Sequence, residues 1–200
     1  MTTEKDTERP PREKLLEAAA ELFVAHGYDG TGLSEILKQA GVSKGGFYHH
    51  FPTKLALYDE VIQRFFPFPF SDFDWEAHTD LTVREQKRAI DGYYAQVVVS
   101  ASTLSGGPTR ALSLFFDSLD RLPAYRESAR DAYRKLVHAL AVAVEREGTA
   151  WPSAWAEAVR FIAEQEGGLY LWAVTGGLAR PEDPARPEDP ARPEDPATYS

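Results

Sequence analysis

Residues 33–51 read LSEILKQAGVSKGGFYHHF, and the way this stretch divides decides the fold. Ile36, Leu37 and Ala40 recur at the three- and four-residue spacing of a short helix over 33–40, and Gly41 stands where that helix must stop. The turn is three residues long. Ser43 then caps another helix over 44–51, with Phe47 and Phe51 four apart on its inner face, and Pro52 ends it. Working outward, Leu15, Leu16, Ala19, Leu22 and Phe23 form one stripe of a preceding helix over 11–25, opened by Pro11 and closed by Gly27. Thr53 caps a fourth helix whose Leu57, Val61 and Phe65 share a buried side.

Beyond it, FFPFPFSDFDW (65–75) is too rich in Pro and Asp for a helix and too aromatic for a solvated linker, so it reads as a packed connector. Further helices are expected at about 81–103, 108–119, 125–146 and 153–174, separated by Gly106-Gly107-Pro108, Leu122-Pro123 and the break at 148–152. Three copies of Ala-Arg-Pro-Glu-Asp-Pro then fill 179–196, with six prolines in eighteen residues and a net charge of −1 per copy. Such a segment should be extended and solvated. The expected architecture is all-α, in three parts: a three-helix helix-turn-helix domain over 11–54, a helical bundle over 55–178 and a proline-rich tail over 179–200.

Composition narrows the function. With 43% hydrophobic and 26% charged residues the chain can bury a core, and no apolar run nears the ~18 residues of a membrane span. MTTEKDTERPPREK at the N-terminus has no apolar leader, so a cytoplasmic protein is expected. The absence of cysteine removes disulfides, thiolate catalysis and zinc-thiolate sites. The net charge of −9 argues at first against a polyanionic partner, yet residues 1–54 hold seven basic and eight acidic groups, leaving −8 for the remainder. No acid lies between Ile36 and Tyr58, where Lys38, Lys44, Lys54, His49 and His50 fall. A polyanion could dock there without repulsion.

A helix, a short turn and a basic second helix form the pattern that lays its second helix in the major groove of DNA. Gly45 and Gly46 in the first turn of that helix each cost about 1 kcal/mol relative to Ala, so a purely structural helix would not favour them. Their missing side chains would let the helix approach phosphates and base edges closely, with Lys44, Tyr48, His49 and His50 as donors on the exposed side. An enzyme competes for the same residues, because Gly41-Val42-Ser43-Lys44-Gly45 matches the G-x-S-x-G nucleophile elbow; that motif needs a strand before it, and the residues before this one are helical. A helical protein-interaction module is the third class. No phosphate loop or metal-ligand cluster emerges: His26, His78 and His138 stand alone, and His49 and His50 should point to different helix faces. No cofactor is expected.

Residues 15–57 resemble the DNA-binding domain of the TetR family of bacterial transcriptional regulators. The resemblance rests on Ala20-Glu21-Leu22-Phe23, Gly27-Tyr28, Gly41-Val42-Ser43-Lys44-Gly45, Tyr48-His49-His50-Phe51 and Lys54, in order and spacing. It implies an all-helical homodimer that binds a palindromic operator and whose C-terminal domain binds a small effector, in most members releasing DNA. Carried over, it implies that Thr31, Ser43, Tyr48, His49 and Lys54 hold phosphates while Lys44, Gly45, Gly46 and His50 lie nearest the bases. Gly32 departs from the family, which often has Ser or Thr there.

The rear half offers two further expectations. Tyr133, Val137, Leu140 and Val144 on one long helix, and Trp155, Val159, Ile162 and Leu169 on the other, form large-residue faces interspersed with Ala and Gly, suited to a four-helix interface between two chains. The aromatic residues Tyr93, Tyr94, Phe115, Phe116, Tyr125, Trp151, Trp155 and Trp172 could line an apolar effector pocket, with His138, Gln96 or Ser100 as polar contacts. From this set, Tyr93, Phe115, Phe116, His138 and Trp172 are the candidate effector residues, for a small apolar or aromatic compound.

Overall fold

Helix ends fall where the sequence places its caps and breakers. The computed structural model describes residues 9–66, 78, 80–103 and 107–176, and among these there are eight helices and no strand. They are α1 (Pro11–Gly30), α2 (Leu33–Ala40), α3 (Lys44–His50), α4 (Lys54–Phe65), α5 (Val83–Thr103), α6 (Gly107–Arg121), α7 (Pro123–Arg146) and α8 (Trp151–Thr175). Most of the expected connector, Gly106 and the 179–200 tail lie outside the described residues. None of the helices is long and apolar enough to cross a membrane, among the described residues.

The front of the molecule is α1 with α2, α3 and α4 packed on it. Gly27, expected to end α1, instead kinks it at φ 73°, and one more turn carries the chain to Gly30. Gly41 takes the left-handed conformation, φ 65°, which a glycine adopts without strain; its amide and that of Val42 donate to the carbonyls of Lys38 and Leu37. Ser43 and Thr53 cap α3 and α4, accepting from the amides of Gly46 (3.1 Å) and Ala56 (3.0 Å). Phe47 and Phe51 are buried against Leu15, Leu16, Ile36 and Leu57, as their spacing predicts.

The rear is a bundle in which α7 and α8 make the most extensive pairing and α6 touches α5, α7 and α8. One apolar core runs from Leu15 in α1 to Ile162 in α8 without interruption. The α7 face proposed for an interface between chains belongs to this core: Val137, Leu140 and Val144 are buried within the chain, because α8 already covers them. What stays exposed is the outer stripe of α8, where Val159, Tyr170, Leu171 and Val174 are 42%, 58%, 47% and 62% accessible, with Ala156, Ala163 and Gly167 among them.

Head and body are joined through α6. An aromatic cluster of Phe23, Tyr28 and Tyr58, with ring centroids 4.9–5.9 Å apart, closes the head. From it the Tyr58 hydroxyl reaches Asp117 Oδ2 (2.9 Å) and Ser118 Oγ (3.0 Å) on α6. Arg121 at the end of α6 donates to Asp117 and Asp29 and lies over the Tyr28 ring.

Candidate functional site

The second helix of the helix-turn-helix is anchored from beneath and bare above. Phe47 is fully buried, while Ser43, Lys44, Gly45, Tyr48 and His49 are exposed and Gly46 and His50 half-exposed. Lys44 makes no ion pair among the described residues, and the surrounding 37–58 stretch holds no acid that could neutralise it. The two adjacent histidines do not diverge as the helix geometry suggested: their rings meet edge to face, 5.0 Å between centroids.

The two glycines are glycine for different reasons. A Cβ on Gly46 would meet Val42 Cγ1 at 3.0 Å, so its missing side chain accommodates the turn. A Cβ on Gly45 would meet only Ser43 Oγ, at 4.0 Å, and would point into open space. Gly45 is the position whose smoothness nothing inside the chain requires.

Two of the expected phosphate ligands are committed to the fold. Thr31 is fully buried, and its hydroxyl donates to the carbonyls of Gly27 (2.8 Å) and Leu22 (3.1 Å). The Lys54 ammonium donates to the carbonyls of Tyr28 (2.8 Å) and Thr31 (2.9 Å) and sits 4.0 Å from the centroid of the Tyr28 ring, closing the C-terminal end of α1 against α4. Burial pulls its pKa below that of an ordinary lysine. Lys54 is half-buried, whereas Thr31 is closed off from solvent. Gly32 is the N-cap of α2, and that helix start has no side-chain cap.

The G-x-S-x-G match falls between two helices. Ser43 follows a left-handed glycine at a helix end, and its Oγ accepts the Gly46 amide; the strand that would strain a nucleophile elbow is replaced by α2.

In the body, α5, α6, α7 and α8 line a partly open cavity of about 700 Å3, with Phe65 and Phe66 also on its wall. Four of the five candidate effector residues, Tyr93, Phe115, Phe116 and Trp172, are on its wall, as are Tyr94, Tyr125, Gln96 and Ser100. His138 is the exception: it is exposed on α7 and packs edge to face on Trp151, 5.7 Å away. Trp151 in turn contacts Trp155, so these three aromatic groups form a surface cluster at the start of α8 apart from the cavity. Sequence reasoning missed Glu166, which lines the cavity and accepts hydrogen bonds from the Tyr94 and Tyr133 hydroxyls. The signal was present in the spacing: Ala158, Ile162, Glu166, Leu169 and Ala173 share one face of α8, and an acid on that face must point inward.

Residues 15–61 match the model of the bacterial regulatory proteins of the tetR family. The match covers the helix-turn-helix and the helix that carries it into the body. Over these residues the chain is similar to the tetR family. The chain is similar to the HTH-type transcriptional activator FasR of Mycolicibacterium smegmatis, 53% identical over 53 residues, covering 26% of this chain and 24% of that protein. It is similar to the transcriptional repressor NemR of Escherichia coli, 45% identical over 60 residues and 30% of each chain. These sequence matches thus span less than a third of either relative. The crystal structure of reduced E. coli NemR superposes with a TM-score of 0.51 at 25% identity, covering 84% of this chain and 90% of that one. A putative fatty acid metabolism regulator of Clostridium perfringens superposes with a TM-score of 0.57 at 15% identity, over 84% and 89%, and shares the fold.

Proposed function

We propose that the protein is a ligand-responsive transcriptional repressor that binds a palindromic operator as a homodimer through α3. The carrying observation is the asymmetry of that helix: a fully buried Phe47 beneath, and an acid-free upper surface of Ser43, Lys44, Gly45, Tyr48, His49 and His50 above. In this reading Ser43, Tyr48 and His49 position the helix on phosphates, while Lys44, Gly45 and His50 lie nearest the bases.

The exposed α8 stripe supports dimerisation. Ala156, Val159, Ala163 and Val174 lie on the exposed side of α8, where the two alanines permit close approach of a second α8, while Gly167 and Tyr170 beside them also line the cavity. Two heads related by such a two-fold axis read half-sites in successive major grooves, about 34–36 Å apart or a multiple of that.

Coupling runs through α6 together with α4, whose Phe65 lines the cavity and whose Tyr58 bonds α6. Leu114, Phe115, Phe116 and Ser118 line the cavity, and the same helix holds the head through Ser118, Asp117 and Arg121. A ligand that displaces α6 therefore changes the grip on Tyr58 and Tyr28, and the shift equals the ligand's preference for one arrangement over the other. Relatives include a named activator and a named repressor; the repressor reading rests on the family resemblance, in which the effector releases DNA in most members.

The test is a gel-shift titration of the full chain on duplexes that carry an inverted repeat, at several salt concentrations. Binding should weaken steeply with salt, Lys44→Ala should lower affinity and relax base preference, and erasing one half-site should abolish the tight complex. A salt-insensitive or absent shift on every duplex would leave a protein-interaction module as the surviving class.

A further inference from the structure

The wall of the body cavity carries one formal charge among the described residues, and it is negative. Glu166 is set in a lining that is otherwise aromatic, aliphatic or neutral polar, with no lysine or arginine. The Tyr94 hydroxyl from α5 and the Tyr133 hydroxyl from α7 both donate to its Oε1, each at 2.5 Å, while Oε2 has no partner among the described residues. Two phenol donors converge on one carboxylate oxygen and fix the orientation of the acid. Burial, reinforced by the neighbouring carboxylate, pushes both phenols well above the usual tyrosine range, so they remain protonated donors.

We propose that the cavity takes a lipophilic monocation, an aromatic or alkyl body bearing one ammonium-type charge, with Glu166 as its counter-ion. This deepens the effector reading above and rests on it. The volume suits one drug-sized molecule. The aromatic faces of Tyr93, Phe115 and Trp172 attract a cation as well as burying its apolar body. An anion of the same shape would lose its hydration with no positive group on the wall to replace it, and would face Glu166. A neutral molecule would gain the apolar contacts and leave the free carboxylate oxygen unsatisfied. The chemistry thus discriminates by charge sign within one shape.

Three probes of nearly one shape test this: tetraphenylphosphonium, tetraphenylborate and neutral triphenylphosphine oxide, titrated calorimetrically into the full chain at about 0.15 M salt, where surface attraction is screened beyond ~8 Å. The cation should bind at least tenfold more tightly than either of the others, and Glu166→Gln, checked for helix content by circular dichroism, should reduce that preference below threefold. Glu166→Asp keeps the charge and should retain a cation preference. Equal binding of the three, preference for the anion, no binding of any probe, or a full preference surviving in folded Glu166→Gln would each overturn the proposal; the wild-type comparison decides even where the variants do not fold. A probe-free gel shift reads the regulator assignment separately. An intact shift without charge preference overturns this inference alone, and a charge preference without any shift overturns that reading alone.

Discussion

The head and the body treat buried polar groups in opposite ways. In the head, Thr31 and Lys54 turn inward to backbone carbonyls, which closes the end of α1 and leaves the outer surface of α3 bare of internal partners. In the body, Tyr94 and Tyr133 turn inward to a carboxylate at the edge of an empty space, so the polar cluster there is built around a gap. A rigid reading head needs every internal donor satisfied within itself, whereas a sensing body needs at least one group whose best partner comes from outside. The two halves share one apolar core, and the difference lies only in where the polar atoms point.

The strongest way to break the comparison is at Phe47. Phe47→Ala removes a fully buried ring from beneath α3 and should destabilise the head by about 3–5 kcal/mol, read by chemical denaturation, with DNA binding lost alongside. A loss under about 1 kcal/mol would mean that α3 is held by something else. Next comes Thr31→Val, which leaves two buried carbonyls without their donor and should cost about 1–3 kcal/mol of stability. At temperatures where this variant is folded, its DNA affinity should match that of the parent; a loss of affinity on every duplex alike would establish Thr31 as a phosphate contact.

The body has a pH signature of its own. Burial pushes Tyr125 up to about 12 and moves Tyr94 and Tyr133 in the same direction. A phenol whose folded pKa exceeds its unfolded value near 10 binds its proton more tightly in the native state. Its contribution is therefore complete below pH 10 and is lost as pH climbs from 10 through the folded value, by up to about 1.4 kcal/mol per pH unit for each group. Melting temperature against pH should fall steeply above 10, and Tyr125→Phe should make the fall shallower. The smallest effect sharpens the comparison at the interface: Gly45→Ala should stabilise the fold by about 0.5–1 kcal/mol while weakening DNA binding, because the added methyl meets nothing internal. Unchanged DNA affinity would show that α3 does not approach the duplex at that point.

The helix pattern was legible because its punctuation is local: Gly41, Ser43, Pro52 and Thr53 act through atoms within four residues, and all fall at observed helix ends. The exposed donors of α3 were legible for the same reason, since Phe47 and Phe51 fix which side turns inward. The internal bonds of Thr31 and Lys54 were not legible because their partners are remote or depend on the Gly27 kink; Lys54 binds carbonyls 23 and 26 residues away. His138 was misplaced because apolar neighbours in sequence do not reveal which face a helix turns outward, and Trp151 drew it to the surface. Glu166 carried an inward-facing period, yet charge weighed more than position in reading the sequence.

The double duty of α6 limits how the molecule can be re-engineered. Because Ser118 faces both the cavity and Tyr58, repainting that wall for a new compound also retunes the output, so recognition and response would be altered together. A biosensor designer would do better to vary α5 and α8, whose cavity-facing side chains include Tyr93, Gln96 and Trp172, and leave the α6 wall as inherited.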